Sequence, residues 1–142
     1  MIAPTTKDHY DQRPRNEFRG SFEDYERNRV LPEFFPEVDG TVEVLDVGAG
    51  EGLIACWLRS RGYRVTAMDF SEQAARSLEE LDFPTIRRDV QDLPWPMEKE
   101  CFDLVFWGDN VEHLFYPMAV AREIHRVLRP GGALAVEPHT FL

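Results

Sequence analysis

Five short apolar or β-branched runs, each separated from the next by a helical pattern or a turn-rich stretch, set the texture of the chain from Thr41 onward. The runs are "VEVLDV" (42–47), "YRVTAMD" (63–69), "PTIRRDV" (84–90), "FDLVFWG" (102–108) and "GALAVEP" (132–138). Between them, "EGLIACWLRSRG", "SEQAARSLEELD" and "VEHLFYPMAVAREIHRVLRPGG" repeat apolar residues at helical spacing, whereas residues 91–101 are short and proline-rich. Strands that alternate with helices require crossover connections. The expected architecture is α/β, a doubly wound parallel sheet of about five strands with helices on both faces.

The first forty residues differ, being polar and aromatic by turns, and predict one or two short helices broken near Pro14, Gly20 and Pro32. We expect residues 1–40 to be a helical cap segment and residues 41–142 the core of a single domain. A chain of 142 residues with 43% apolar side chains supports one packed core. Sixteen basic against twenty-six acidic side chains leave a formal charge of -10, which disfavours nucleic acid and anionic membranes as partners. Cys56 and Cys101 lie apart in apolar stretches and read as reduced, buried thiols, so no metal site is expected. No apolar leader and no run of eighteen apolar residues is present, which predicts a soluble, cytoplasmic protein.

In such a sheet, ligands bind beyond the carboxyl ends of the strands where the winding reverses. The first run ends there in "VLDVGAGEG", a glycine loop that lets backbone approach a ligand and leads into a helix N-terminus. A tight turn without a ligand is the bland alternative. Asp69, closing the second run, stands where a carboxylate accepts both hydroxyls of a ribose; Ser71 is better placed than Asp69 to cap the next helix. Asp89 follows the third run, where it can meet the exocyclic amine of an adenine while Val90 packs on the ring; a solvated turn aspartate is the alternative. Two features disfavour a dinucleotide. The third glycine of G-x-G-x-x-G would fall at Leu53, and Glu51 would set a carboxylate against a pyrophosphate.

"VLDVGAGEG", "VTAMDFS", "RRDVQDLPWP", "FDLVFWGDNVEHL" and "EIHRVLRPGGALAVE" together resemble, in order and spacing, the motifs of class I S-adenosylmethionine-dependent methyltransferases, most closely the small-molecule branch called type 11. The resemblance spans about residues 41–138 and implies a Rossmann-like sheet. It implies that Asp46, Gly48, Ala49 and Gly50 line the methionine part of S-adenosylmethionine, that Asp69 binds the ribose, and that Phe70 lies beside the adenine. Asp89 and Val90 would hold the adenine edge. Trp107, Gly108 and Asp109 would approach the methionine end, and Tyr10 and Arg19 would close over the cofactor.

Methyl transfer needs in-line approach and a desolvated nucleophile, and a hydroxyl acceptor wants a general base. His113, with Glu112 and Asp109 nearby in sequence, is the candidate base; His125 belongs to a helix face, and Gly131-Gly132 form the turn into the fifth strand. The sequence ends at Leu142, where the resembling family continues through a helix and an antiparallel strand pair. A fifth strand without that pair is a bare edge, which suggests a homodimer through residues 132–138, a piece of a longer protein, or a remnant that binds cofactor without turnover. The reading is therefore a methyltransferase acting on a small molecule at oxygen, nitrogen or carbon and releasing S-adenosylhomocysteine. A catalytically silent cofactor-binding or interaction module is the second reading, and a nicotinamide oxidoreductase the third.

Overall fold

The computed structural model describes Phe22 and residues 26–108 and 111–137. A turn of 3-10 helix, Glu26–Val30, runs into α1 (Leu31–Phe34), and the core follows as β1 (Glu43–Val47), α2 (Leu53–Ser60), β2 (Arg64–Asp69), α3 (Glu72–Glu80), β3 (Thr85–Arg87), β4 (Phe102–Gly108), a second 3-10 turn at Val111–His113, α4 (Pro117–Val127) and β5 (Leu128–Glu137). The five strands form one sheet in the order β3-β2-β1-β4-β5, and every pair is parallel. The chain steps outward from β1 to β2 and β3, then crosses back to lay β4 on the other side of β1. The expected doubly wound sheet is what forms.

Alternation along the strands divides the core in two. Val44, Val65, Ala67 and Phe106 face α2 and α3, meeting Ala55, Leu58 and Leu78. Leu45, Val47, Met68, Val105 and Trp107 face the opposite way, onto Val120, Ile124 and Val127 of α4. The last three stand at i, i+4 and i+7, the spacing that lines one face of a helix. α3 begins where expected, with Ser71 Oγ accepting the Ala74 N–H at 3.1 Å.

The N-terminal residues within the described part pack on the first face. Phe22 stacks on Trp57 with ring centroids 4.4 Å apart, and Phe35 meets Trp57, Tyr63 and Phe106 edge-on or tilted. Pro32 does not break this segment. It stands in the first turn of α1, where no N–H is needed. Pro14 and Gly20 lie outside the described residues.

Two elements depart from the sequence reading. The third run was expected to reach Val90, but β3 stops at Arg87 because Asp89 Oδ1 accepts the Gln91 N–H at 2.9 Å, turning the chain out of the sheet. The helix expected up to Gly132 stops at Val127, and Leu128 is already extended (ψ 136°). Pro130 bars any helix through that point, since it lacks a donor and forces Arg129 out of the helical region, and the chain has turned extended just ahead of it. β5 then carries a bulge: Leu128 faces Phe102 and Ala133 faces Leu104, with the intervening residues looped out. The Arg129 guanidinium meets Asp103 Oδ2 at 2.9 Å, and that carboxylate also accepts the Glu43 N–H, which with the arginine holds its pKa below the ordinary aspartate value. Gly131-Gly132 thus sit inside an irregular strand rather than ahead of it. The cysteines also differ from expectation: Cys56 and Cys101 are free but only half-buried.

A polar network ties the β3–β4 loop to α4. Glu123 Oε1 accepts the Trp95 N–H at 2.7 Å and the Arg126 guanidinium at 2.6 Å, while Arg126 also donates to the Trp95 and Met97 carbonyls. The Trp95 indole N–H donates to the Val90 carbonyl at 2.9 Å. The Arg126 hydrogen bond, helped by the Trp95 N–H, holds the Glu123 carboxyl below the ordinary glutamate range against the opposing effect of burial.

A group with a depressed folded pKa stabilises fully above its unfolded value and loses that contribution as pH falls through the folded one. We expect Glu123→Gln to cost about 1–3 kcal/mol at neutral pH. The gap from wild type in urea melts should narrow below about pH 4.3, the ordinary glutamate value. Gly52 generates a second expectation. It enters α2 with φ +92°, and a Cβ there would lie 3.0 Å from Leu78 Cδ2 and 3.3 Å from Leu81 Cδ1. Gly52→Ala should therefore lower stability by about 1–3 kcal/mol, read as an earlier thermal midpoint.

Candidate functional site

The reversal of winding between β1 and β4 opens a crevice at their carboxyl ends, and the glycine loop lies there. The loop is pinned from below by two N–H groups, Gly48 and Ala49, which donate to the Met68 carbonyl at 2.8 and 3.0 Å. Gly48, Gly50 and Gly52 all have positive φ, at 73°, 56° and 92°. The glycines divide their tasks: Gly52 packs against α3, whereas a Cβ at Gly50 would have nothing within 4 Å. Room at Gly50 is what close approach by a ligand requires.

Asp69 faces the same loop from the tip of β2. Its Oδ2 accepts the Gly50 N–H and its Oδ1 the Ser71 N–H, each at 2.9 Å. The carboxylate therefore joins the glycine loop to the entry of α3, and two amides fix its orientation in advance. Phe70 follows, half-buried, with its carbonyl accepting the Arg87 guanidinium at 3.4 Å. Asp46, on β1 between Ala67 and Phe106 of the neighbouring strands, is buried to 2% exposure below the loop. Glu51 does not project alone: its carboxylate accepts the Gln73 amide of α3 at 3.1 Å, which keeps a negative charge beside the loop.

On the other flank of β2, Asp89 is exposed at the head of its turn, and Val90 is buried in the second core cluster with Trp95. Trp107 ends buried in the same cluster, opposite Val47, so its indole serves the core while its backbone reaches the end of β4 beside the buried Gly108. His113 is exposed at the end of the 3-10 turn after β4, and His125 is exposed in the last turn of α4. Tyr10, Arg19 and Asp109 lie outside the described residues.

Several participants were not legible as such. Gln91 joins the Asp89 turn to the segment before α4, accepting the Phe115 N–H at 2.7 Å; nothing in its sequence neighbourhood marks that role. Gln73, within the helical pattern of α3, likewise carried no signal of its contact with Glu51. The Glu123–Arg126 pair did carry a signal, the i,i+3 spacing in "EIHR", but spacing alone leaves the partner loop unnamed. Among the described residues, no group of three or more His, Cys, Asp or Glu could hold a metal ion, and no helix is long and apolar enough to cross a membrane.

The methyltransferase-domain family matches residues 45–136, well over half of the chain and nearly the whole of the sheet from β1 to β5. Among curated proteins, a malonyl-[acyl-carrier protein] O-methyltransferase of Enterobacter lignolyticus is 36% identical over 95 residues, covering 65% of this chain and 37% of that protein. A ubiquinone biosynthesis O-methyltransferase of Idiomarina loihiensis is 31% identical over 65% of this chain and 40% of its own length. A demethylmenaquinone methyltransferase of Chlamydia trachomatis is 32% identical over 68% and 44%. The chain spans about two fifths of these relatives. Among solved structures, an S-adenosylmethionine-dependent methyltransferase of Mesorhizobium loti superposes with a TM-score of 0.72 at 23% identity, over 82% of this chain and 54% of that one. The [4+2]-cyclase SpnF superposes with a TM-score of 0.68 at 26% identity, over 86% and 48%. By the reach of the family match and the sheet that bears it, the chain belongs to the methyltransferase-domain family, whose fold is the Rossmann-like one and whose cofactor is S-adenosylmethionine.

Proposed function

We propose that this chain is the cofactor-binding core of a methyltransferase that moves the methyl group of S-adenosylmethionine to oxygen, nitrogen or carbon of a small molecule. The observation that carries the reading is the bond between Asp69 Oδ2 and Gly50 N–H. It joins the strand-end acid to the glycine loop at the point where an adenosine would lie. A carboxylate with its orientation fixed by two amides is prepared to accept a ribose diol without reorganising. S-adenosylmethionine supplies an electrophilic methyl on a sulfonium and brings no phosphate, and the Glu51 carboxylate beside the loop suits that charge better than a pyrophosphate.

The remaining roles are those that the family resemblance implies. Gly48, Ala49 and Gly50 line the amino-acid end, with Asp46 beneath them. Phe70 lies beside the adenine, Asp89 and Val90 hold its edge, and Trp107, Gly108 and Asp109 approach the methionine end. Tyr10 and Arg19 close over the cofactor from the cap segment of residues 1–40, set on a core of residues 41–142. His113 is the general base for a hydroxyl acceptor. Orientation supplies most of the remaining rate, up to about 7–11 kcal/mol in well-aligned systems.

The curated relatives are named for malonyl-[acyl-carrier protein], ubiquinone biosynthesis and demethylmenaquinone, which supports a small or carrier-bound acceptor; a soluble, cytoplasmic enzyme is part of the same proposal. A second reading, cofactor binding without methyl transfer, is favoured by one observation: a [4+2]-cyclase shares the fold. Turnover with an identified acceptor separates the two. We also propose that two copies pair along β5, an edge strand among the described residues on which Leu134 and Val136 are 41% and 46% exposed. Light scattering should give twice the chain mass, and Leu134→Lys with Val136→Lys should return it to the monomer; a monomeric wild type would end the pairing idea.

Calorimetry should show binding of S-adenosylmethionine and S-adenosylhomocysteine and none of NAD; the reverse pattern would overturn the reading. Asp69→Ala should weaken S-adenosylhomocysteine by about 1–3 kcal/mol through lost charge-assisted hydrogen bonds. Unchanged affinity would displace the ribose from Asp69.

A further inference from the structure

The loop after β3 and the segment after β4 flank the crevice from two directions, and one side chain joins them. Gln91 Oε1 accepts the Phe115 N–H at 2.7 Å and the Tyr116 N–H at 3.4 Å, while the Gln91 N–H donates to Asp89 Oδ1 at 2.9 Å. Tyr116 is the N-cap of α4, no side chain of its own caps that helix, and Pro117 follows in the first turn. In a capping box, a Glu or Gln inside the helix accepts the N-cap N–H. Here the acceptor comes from 25 residues away, across the crevice wall.

The bond matters more because packing does little for this segment. Phe115, Tyr116 and Met118 are 77%, 72% and 66% exposed, whereas Val111 and Leu114 just before them rest on the second core cluster. A segment with few buried contacts opens locally at small free-energy cost, so a fixed hydrogen bond governs its placement. The other half of α4 is already fastened to the same loop through Glu123 and Trp95. The β3–β4 loop therefore grips α4 at both ends, firmly at the buried end and through Gln91 alone at the exposed one, as far as the described hydrogen bonds show.

We infer that Gln91 is a positioning residue that couples occupancy of the adenine side of the crevice to the order of the Phe115–Tyr116 segment on the acceptor side. The inference rests on the proposed S-adenosylmethionine site. When Asp89 is held by the adenine edge, its turn stiffens, the Gln91 backbone is fixed with it, and Oε1 holds the start of α4 in one place. Cofactor binding then shapes the wall that an acceptor meets.

Amide hydrogen exchange on the whole chain, with and without saturating S-adenosylhomocysteine, tests this. In the wild type the ligand should slow exchange at Phe115 and Tyr116 about 5-fold or more, the lower end of common coupling strengths. Gln91→Leu should still bind the ligand, with a normal thermal midpoint, but lose that added protection. Gln91→Glu, which keeps an acceptor oxygen and suits a helix N-terminus, should restore it. Equal added protection in wild type and Gln91→Leu, or ligand binding to wild type with no change at these amides, overturns the coupling while leaving the cofactor site intact. Failure of the wild type to bind S-adenosylhomocysteine at all overturns both.

Discussion

β1 is buried from Val44 to Val47, and parallel neighbours on both sides take its backbone hydrogen bonds. A strand with no exposed face and no free edge leaves its chain one exit, upward into the crevice between β2 and β4. The glycine loop is that exit. Its first two amides are spent on the Met68 carbonyl of the next strand, so the loop is held to the sheet before any ligand arrives. The Gly50 amide is directed to Asp69, and the αL conformation of Gly52 then starts α2. Each of these follows from the central strand being central: the acid at the tip of β2 can reach the loop only because β2 pairs with β1 in the register Val47↔Met68.

The same constraint separates two kinds of glycine that look alike in the sequence. Gly52 is required twice over, since its φ is +92° and a side chain there would press on Leu78 and Leu81; Gly50 shares the left-handed backbone, at φ +56°, but has open space where a Cβ would stand. The backbone at Gly50 is thus open to close approach in a way that the backbone at Gly52 is not. The charges carry a parallel division. Glu123, Arg126, Asp103 and Arg129 hold loops and strand ends to one another, and their carboxylates are stabilised in the charged form by the partners they hold. Asp46 and Asp69 lie at the carboxyl ends of strands around the crevice, where a sheet of this kind places ligand chemistry.

Much of this was legible because periodicity and strand-end position are local properties. The five runs gave the strands, the helical patterns gave α2, α3 and α4, and Ser71 gave the start of α3, since each signal lies within a few residues of the feature it predicts. The misreadings arose where a local pattern continued past its physical cause. Helical spacing runs through Leu128, but Pro130 forbids the helix that the spacing suggests. The run through Val90 looks like strand, but the Asp89 turn diverts it. Gln91, Gln73 and the loop partners of Glu123 were hidden for a different reason: their contacts span 22 to 28 residues, and an amide side chain has no periodicity to announce a distant partner.

The two ends of the crevice differ in how far they can be read for a reason that lies in chemistry. An adenosine cofactor presents the same diol and the same purine edge to every protein that binds it, so it calls for a small set of acids and glycines at strand ends that the sheet itself positions. An acceptor imposes no such common demand. On the proposed reading, the surface that would meet it is the segment after β4, where Phe115, Tyr116 and Met118 project into solvent from a short turn and a helix start. Their identity does not serve the core, and their position depends on a hydrogen bond from another loop. On the proposed reading, acceptor specificity falls to residues that the fold leaves unconstrained, while the cofactor falls to strand-end glycines and acids that the sheet itself positions.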